Sequence, residues 1–231
     1  MTPEHYADQF RQFSGYLKNF GNTRLFLVAC GPNGNDIRWS RKFLDQTVGV
    51  RLPSGFAMHF YEGSDKAPAK FTPDAMQTQM KIFERVEQGI LQQRAIMDGY
   101  DPQHRFMNLI LDEWGVWDNL SATPEPERSY GRLWQQITMR SAVAAGLGLN
   151  MFNRLADKLY MCNIAQIVNV LHSLLLTDGP QGRKCVRTST YHAFMLFKQH
   201  RSNTAVRVER DNSDPLGLSM SASKERLRSV R

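Results

Sequence analysis

Asp112 and Glu113 close an apolar run, Met107-Asn108-Leu109-Ile110-Leu111, and Trp114, Gly115 and Trp117 follow at once. A carboxylate at the end of so apolar a segment faces a desolvation cost. Proteins tolerate that cost when the group is paired, hydrogen-bonded or used. Side chains alternate along a strand, so one carboxylate is expected to point inward from the sheet and the other toward helices or a loop. An N-cap or a salt-bridged loop acid is the plainer alternative. Trp114 and Trp117 beside a carboxylate suit a sugar, because ring faces stack on C–H surfaces while the carboxylate meets the anomeric carbon. Taken singly, either tryptophan is more simply read as core. His59 and Tyr61 lie two apart at the end of Gly55-Phe56-Ala57-Met58-His59-Phe60-Tyr61 and can project to one side. There they can hydrogen-bond a carboxylate or a substrate hydroxyl; a histidine satisfied inside a core is the alternative. Gln166, just past a later apolar run, is a similar candidate as a hydroxyl reader.

Other chemistries lack their residues. No His-Glu-x-x-His and no clustered His/Cys spacing is present, so no metal is expected. Gly31-Pro32-Asn33-Gly34 is not a dinucleotide fingerprint, no phosphate-loop lysine follows it, and no Gly-x-Ser-x-Gly elbow occurs. No organic cofactor is implied. His172, His192 and His200 read as surface or capping residues.

The elements that must position these groups alternate along the chain. Thr2-Pro3 opens a helix carrying Tyr6, Phe10, Phe13 and Leu17 on one face, with Gly21 as its stop. Arg24–Cys30 is an almost continuous apolar run, the signature of a strand buried on both faces of a parallel sheet. A short helix from Trp39 to about Val48 precedes the strand Gly55–Tyr61. Thr72-Pro73 opens a long helix with Met76, Met80, Phe83, Val86, Ile90 and Met97 on its apolar face. The strand Met107–Leu111 leads to a proline- and glutamate-rich loop. A helix over Tyr130–Leu155 follows, with Ala144-Ala145-Gly146 allowing close packing. Leu159–Ala165 is a fourth strand, Tyr191–His200 a last helix, and Thr204–Arg210 a half-exposed strand. The order α-β-α-β-α-β-α-β-α predicts an α/β fold with a parallel sheet or half of a barrel. Its long loops, 62–71, 115–129 and 166–189, follow strands and would border the site.

The 231 residues carry a net charge of +7, of ordinary globular composition. A whole eight-stranded barrel usually takes about 250 residues. Residues 1–179 hold 18 basic and 18 acidic side chains, so the excess lies in residues 180–231, with 11 basic and 4 acidic. No aromatic residue interleaves these charges after Phe197, which argues for a solvated edge rather than a nucleic-acid partner. No stretch approaches the roughly 20 apolar residues of a membrane helix. Three cysteines, Cys30, Cys162 and Cys185, fit free thiols in a reducing compartment. With no secretory signal seen, this predicts a cytoplasmic protein.

Leu111-Asp112-Glu113-Trp114-Gly115-Val116-Trp117 resembles the nucleophile segment of the α-L-arabinofuranosidases of glycoside hydrolase family 51. Met1–Ala7 is similar to the helix after that family's fourth strand, and Val28–Gly31 to its fifth strand. Met58–Tyr61 is similar to its sixth strand, Asn163–Val170 to its eighth, and Thr190–Phe194 to the entry of its last barrel helix. The resemblance covers residues 1 to about 210. It implies the C-terminal half, strands 5–8, of a (β/α)8 TIM barrel over residues 1–202. Residues 203–231 would then be the start of a C-terminal β-sandwich and an irregular tail, with Leu216–Ser223 the beginning of a sandwich strand.

The resemblance implies retaining hydrolysis of terminal α-L-arabinofuranosyl residues from arabinan- or arabinoxylan-type oligosaccharides. Glu113 would be the nucleophile. Tyr61 would hydrogen-bond near it, His59 would support the polar network, Gln166 would read hydroxyls and Trp117 would shape the sugar pocket. Phe60 stands where many members have a polar residue. The family's acid/base glutamate sits in a Gly-Asn-Glu motif at the end of strand four, and no Asn-Glu pair occurs in this chain. That motif is expected upstream of Met1. The family commonly forms hexamers, so a homo-oligomer is expected. The alternative is a catalytically incompetent fragment serving as an assembly or sugar-binding module.

Overall fold

A computed structural model describes residues 1–64, 66, 70–119, 131, 133–177, 184–209 and 219–225. The Thr2 hydroxyl accepts the His5 amide hydrogen at 3.2 Å and Pro3 fills the first turn, starting helix α1, Pro3–Tyr16. It ends ahead of the expected stop at Gly21. Strand β1 is Val28–Asn33, and Asp36 caps helix α2, Ile37–Thr47, by accepting the Trp39 amide hydrogen. Strand β2, Gly55–Glu62, helix α3, Pro73–Tyr100, and strand β3, Asn108–Val116, follow. Then come helix α4, Met139–Arg154, strand β4, Leu159–Ile164, and strands β5, Leu175–Thr177, and β6, Cys185–Arg187. Helix α5, Ser189–Phe197, runs into a single 3-10 turn, and β7, Thr204–Val206, pairs antiparallel with β8, Ala222–Lys224.

The order in the main sheet is β1-β2-β3-β4. β1 and β2 run parallel, with Val28 opposite Gly55 and Cys30 opposite Ala57. Asn108 donates its amide hydrogen to the Ser54 carbonyl at one end of β2 and β3, and Trp117 donates to the Glu62 carbonyl at the other. Those two strands therefore also run parallel. The expected α/β class and order of alternation are present. Strand β3 extends past Leu111 through Asp112 and Glu113 to Val116. Helix α4 starts only at Met139, with Tyr130 outside the described residues. The excursion 166–189 holds the short antiparallel ribbon β5–β6, which no alternation announced.

The chain divides into two compact units, Met1–Phe60 with Val86–Glu113 and Lys158–Cys162, and Tyr61–Arg85 with Trp114–Asp157 and Asn163–Arg231. In the first, Phe43 stacks on Tyr6, Trp39 and Phe56, and Leu44, Met58, Ile90, Met97, Leu109 and Leu111 complete a buried core. A Cβ on Gly31 would stand 1.9 Å from the Ala57 carbonyl oxygen, so only glycine lets β1 lie against β2 there. Phe26 stacks on Tyr160 at 5.0 Å although they belong to opposite ends of the strand order, so this sheet is strongly curved. The run Arg24–Cys30 is not buried on both faces as its apolarity suggested. Leu25, Phe26 and Val28 are exposed, as are Phe13, Tyr16, Leu17 and Phe20 in and after α1. β1 is an outer strand of this sheet, and its Cys30 amide hydrogen bonds to the Tyr6 hydroxyl of α1 at 2.8 Å.

In the second unit Trp114 is fully buried. It meets Phe152 edge-on at 4.8 Å and lies within 6.2 Å of Phe83 and Phe194. Ala144 and Ala145 are buried, but Gly146 faces open space. Close approach comes at Gly148 instead, where a Cβ would stand 2.8 Å from the Trp114 ring.

Candidate active site

In the first unit the ends of β2 and β3 bring together His59, Asp112 and Glu113. The His59 Nε2 lies 3.0 Å from Asp112 Oδ1, and its Nδ1 lies 3.5 Å from Glu113 Oε2. The expected division of the two carboxylates between opposite sides of the sheet does not hold: both reach the same ring. An imidazole presents its two nitrogens on different edges, so one ring can serve successive carboxylates of a neighbouring strand. The three side chains are 34%, 35% and 37% exposed, enough to meet a ligand. Burial pushes the Asp112 carboxyl up, and the charge of Glu113 adds to this, against the opposing effect of His59. Burial, with a contribution from Asp112, likewise raises the Cys30 thiol. The Gly34 amide hydrogen bonds to the His59 carbonyl at 2.8 Å, tying the loop after β1 to β2. Phe60 packs against Gly89 of α3.

In the second unit Tyr61 and Trp117 meet edge to face, with ring centres 5.3 Å apart. Trp117 is 43% exposed and held by its backbone, which donates to the Glu62 carbonyl at 3.0 Å. A Cβ on Gly63 would stand 1.6 Å from the Trp117 carbonyl oxygen, so that approach also requires glycine. The Glu62 carboxyl is pushed up by burial, partly offset by Arg85. Gln166 is exposed after β4, its amide hydrogen bonded to the Val170 carbonyl and its carbonyl accepting from Leu174. Trp114, weighed beside Trp117 as a sugar platform, is core. Glu125 and Glu127, in the proline-rich loop, lie outside the described residues.

Behind Trp117 lies a buried polar cluster with no signature in the sequence. Asp118 and Arg140, each only 1% exposed, form a two-pronged ion pair. Arg140 also donates to Gln79 and lies over the Phe71 ring at 4.5 Å. Asp118 accepts the Ser64 amide hydrogen at 3.2 Å, while Gln135 accepts from the Asp118 amide and donates to the Val116 carbonyl. The end of β3, the loop after β2 and the first turn of α4 are thereby held together.

His172 is not a surface or capping residue. It is fully buried, accepts the Val116 amide hydrogen at Nδ1 at 3.1 Å, and donates from Nε2 to the Ser141 carbonyl at 2.8 Å. The neutral ring satisfies both partners, and burial pushes its pKa down to about 4. The unfolded chain therefore binds a proton that the folded chain refuses between about pH 6.5 and 4. The contribution of His172 to stability is complete above that window and is lost as pH falls through it, about 3 kcal/mol at full extent. Urea midpoints measured across this range should fall more steeply for the wild type than for His172→Gln. Parallel slopes would remove the assignment.

Among the described residues no group of three His, Cys, Asp or Glu is placed to hold a metal ion, and no helix is long and apolar enough to cross a membrane. Residues 112–224 match the family described as the α-L-arabinofuranosidase C-terminal domain, a match that begins at Asp112 itself. Over 98% of its length the chain is 36% identical to the intracellular exo-α-L-arabinofuranosidase of Bacteroides ovatus. The chain is a relative of the family 51 α-L-arabinofuranosidases. It is also 28% identical to α-L-arabinofuranosidase C of Emericella nidulans over 86% of its length. It spans about half the length of these relatives, 45% of the first and 39% of the second. The crystal structure of the family 51 arabinofuranosidase from Xanthomonas axonopodis pv. citri superposes with a TM-score of 0.79 at 30% identity, over 92% of this chain and 44% of that one. The family 51 enzyme AbfB of Bifidobacterium longum shares the fold, with a TM-score of 0.68 at 20% identity.

Proposed function

We propose that the chain supplies the nucleophile half of a retaining α-L-arabinofuranosidase, with residues 1–202 as strands 5–8 of a (β/α)8 barrel and residues 203–231 opening a β-sandwich. The observation that carries this reading is Glu113 beside His59 at the ends of two neighbouring parallel strands. Glu113 attacks the anomeric carbon of an arabinofuranosyl residue, His59 and Tyr61 supply polar contacts near it, Trp117 gives the sugar a ring edge, and Gln166 binds hydroxyls. A retaining mechanism needs a second carboxyl about 5–5.5 Å away to protonate the leaving oxygen and then activate water. Its proposed source is the Gly-Asn-Glu segment that members carry before the first helix matched here. The substrate would be an arabinofuranosyl oligosaccharide and the setting the cell interior, as the Bacteroides ovatus relative's name suggests.

The test is arabinose release from a natural arabino-oligosaccharide, compared with aglycone release from an activated aryl arabinofuranoside, by the chain alone and by the chain joined to an acid/base half. The joined protein should act on both. The chain alone should act at most on the aryl substrate, whose leaving group needs little protonation. Inactivity of the joined protein on both would end the proposal. In that joined protein Gln166→Ala should lower kcat as well as raise KM, because hydrogen bonds to the 2-hydroxyl strengthen in the transition state and supply several kcal/mol. About a hundredfold loss in kcat/KM is expected; a pure KM effect would mean that Gln166 binds ground and transition state alike.

A second reading, an assembly module without turnover, draws on the exposed residues Phe13, Tyr16, Leu17 and Phe20 in and after α1 and on the position of β1 as an outer strand. An outer strand can pair with another chain wherever its backbone groups are open. Light scattering on residues 1–231 decides it: an oligomer without turnover favours the module, an active monomer excludes it.

A further inference from the structure

Past Trp114, side chains take over one edge of strand β3. The Ala165 amide, just after β4, still donates to the Trp114 carbonyl at 3.0 Å, but the Ala165 carbonyl accepts from the His172 amide. The His172 ring then accepts the Val116 amide hydrogen, and the buried side-chain amide of Gln135 takes the next two groups. Its Nε2 donates to the Val116 carbonyl at 2.9 Å, and its Oε1 accepts the Asp118 amide hydrogen at 3.2 Å. A carbonyl on one side and an N–H on the other fix which way the amide points. These two backbone groups belong to the peptide planes on either side of Trp117. On the opposite edge the Trp117 amide donates to the Glu62 carbonyl and the Asn119 amide to the Ser64 carbonyl, each at 3.0 Å. Of the four tryptophans, Trp114 and Trp134 are buried and Trp39 is half-buried, whereas Trp117 is exposed.

We propose that Gln135 is a positioning residue for Trp117: by holding the peptide groups on both sides of that residue, it fixes the pose in which the exposed ring meets a sugar. The part about the sugar rests on the reading of Trp117 as a wall of the arabinofuranosyl pocket. A residue's φ and ψ are the rotations of its two flanking peptide planes. With the plane before Trp117 held by Gln135 and the Glu62 carbonyl, and the plane after it held by Gln135, both torsions are set before a ligand arrives. The ring then turns only about its own side-chain bonds, and Tyr61 stands against it edge to face. Without the Gln135 amide, part of this ordering is left to the binding step, where it costs affinity. The neighbouring ion pair does a different job. Asp118 and Arg140 join through their side chains, and Asp118 also accepts the Ser64 amide hydrogen. Gln135 bonds to the Asp118 backbone, so its removal leaves that pair in place.

The whole chain, labelled with fluorotryptophan, gives a ¹⁹F signal for each of its four tryptophans, and Trp117 is assigned by the signal lost in Trp117→Phe. Gln135→Met keeps the length of the side chain and removes both bonds. In that variant the Trp117 signal should move toward that of free fluorotryptophan, while the signals of Trp39 and the buried Trp114 stay where they are. A Trp117 signal at its wild-type position would overturn the proposal. Should Trp114 lose its signal as well, Gln135→Asn decides, since its amide is one methylene short of holding both groups. A displaced Trp117 beside an unmoved Trp114 then supports the proposal, and a wild-type Trp117 refutes it. Loss of the Trp114 signal in both variants would make Gln135 a residue that holds the fold, which is equally a refutation. The consequence for the sugar is read by titrating the same proteins with a natural arabino-oligosaccharide. Binding to Gln135→Met should be about tenfold weaker, the equivalent of ordering one residue's backbone on binding rather than on folding. In a Trp117→Ala background, followed by calorimetry, the same substitution should change affinity by less than about twofold, because Gln135 acts through that ring. An equal loss in both backgrounds would overturn the positioning role. A wild-type Trp117 signal that ignores the sugar would count against Trp117 as a pocket wall, while the spectra without sugar still judge the hold of Gln135.

Discussion

Replacing Glu113 by alanine is expected to remove nearly all turnover from a protein that carries both carboxyls, by roughly 10³-fold or more, or about 4 kcal/mol of transition-state stabilisation. The attacking oxygen is gone, and the other carboxylate of the trio, Asp112, is 3.0 Å from His59 Nε2 and engaged there. Azide should enter the space left by the side chain and attack from the same side, giving an arabinosyl azide of inverted configuration. Rescue with that stereochemistry would identify the residue as the nucleophile rather than as a structural acid. Turnover near the wild-type rate in Glu113→Ala would show that another group attacks, and Asp112→Ala would be the next variant to make.

The largest stability effect is expected at Arg140. Its guanidinium and the Asp118 carboxylate are each 1% exposed, and Arg140→Met would leave that carboxylate buried without its counter-charge and the Gln79 side chain without its donor. Removing one partner of a buried pair costs about 3–5 kcal/mol, because the surviving charge keeps its desolvation penalty. The urea midpoint should fall accordingly. Replacing both partners together, Arg140→Met with Asp118→Leu, should recover much of the loss, since no unpaired charge then remains. Recovery will be incomplete, because Asp118 also accepts the Ser64 amide hydrogen. A single-variant loss below about 1 kcal/mol would mean that water reaches the pair and that it behaves as a surface ion pair.

Local signals carried much of the fold. Thr2-Pro3 started α1, and the runs Gly55–Tyr61 and Met107–Leu111 marked strands by continuous apolarity. Caps and runs of this kind act over a few residues, so they survive in the sequence without a partner. The extension of β3 through Gly115 to Val116 was not legible, because the chain from 115 onward read as a loop. Backbone bonding along β2 decided it, ending with Trp117 on the Glu62 carbonyl. The exposure of Leu25, Phe26 and Val28 was equally hidden: an apolar run states a preference for burial but not whether a neighbour is present to provide it.

The candidate site divides along the same line. The types of residue, a carboxylate pair, histidine, tyrosine and tryptophans at strand ends, and the resemblance carried by Leu111–Trp117, were readable in the sequence alone. Which groups touch was not. That both Asp112 and Glu113 meet one imidazole depends on the stagger of β2 against β3, across more than fifty residues of intervening chain. His172 became a buried neutral ring only because the Val116 amide and the Ser141 carbonyl converge on it, and Arg140 became a buried cation only because Asp118 and Gln79 converge there. Element type is set by short-range torsional preference and hydrophobic period, which the sequence by itself determines. Pairing, burial and protonation are set by contacts between distant segments, whose energies exist only once the tertiary structure has brought them together.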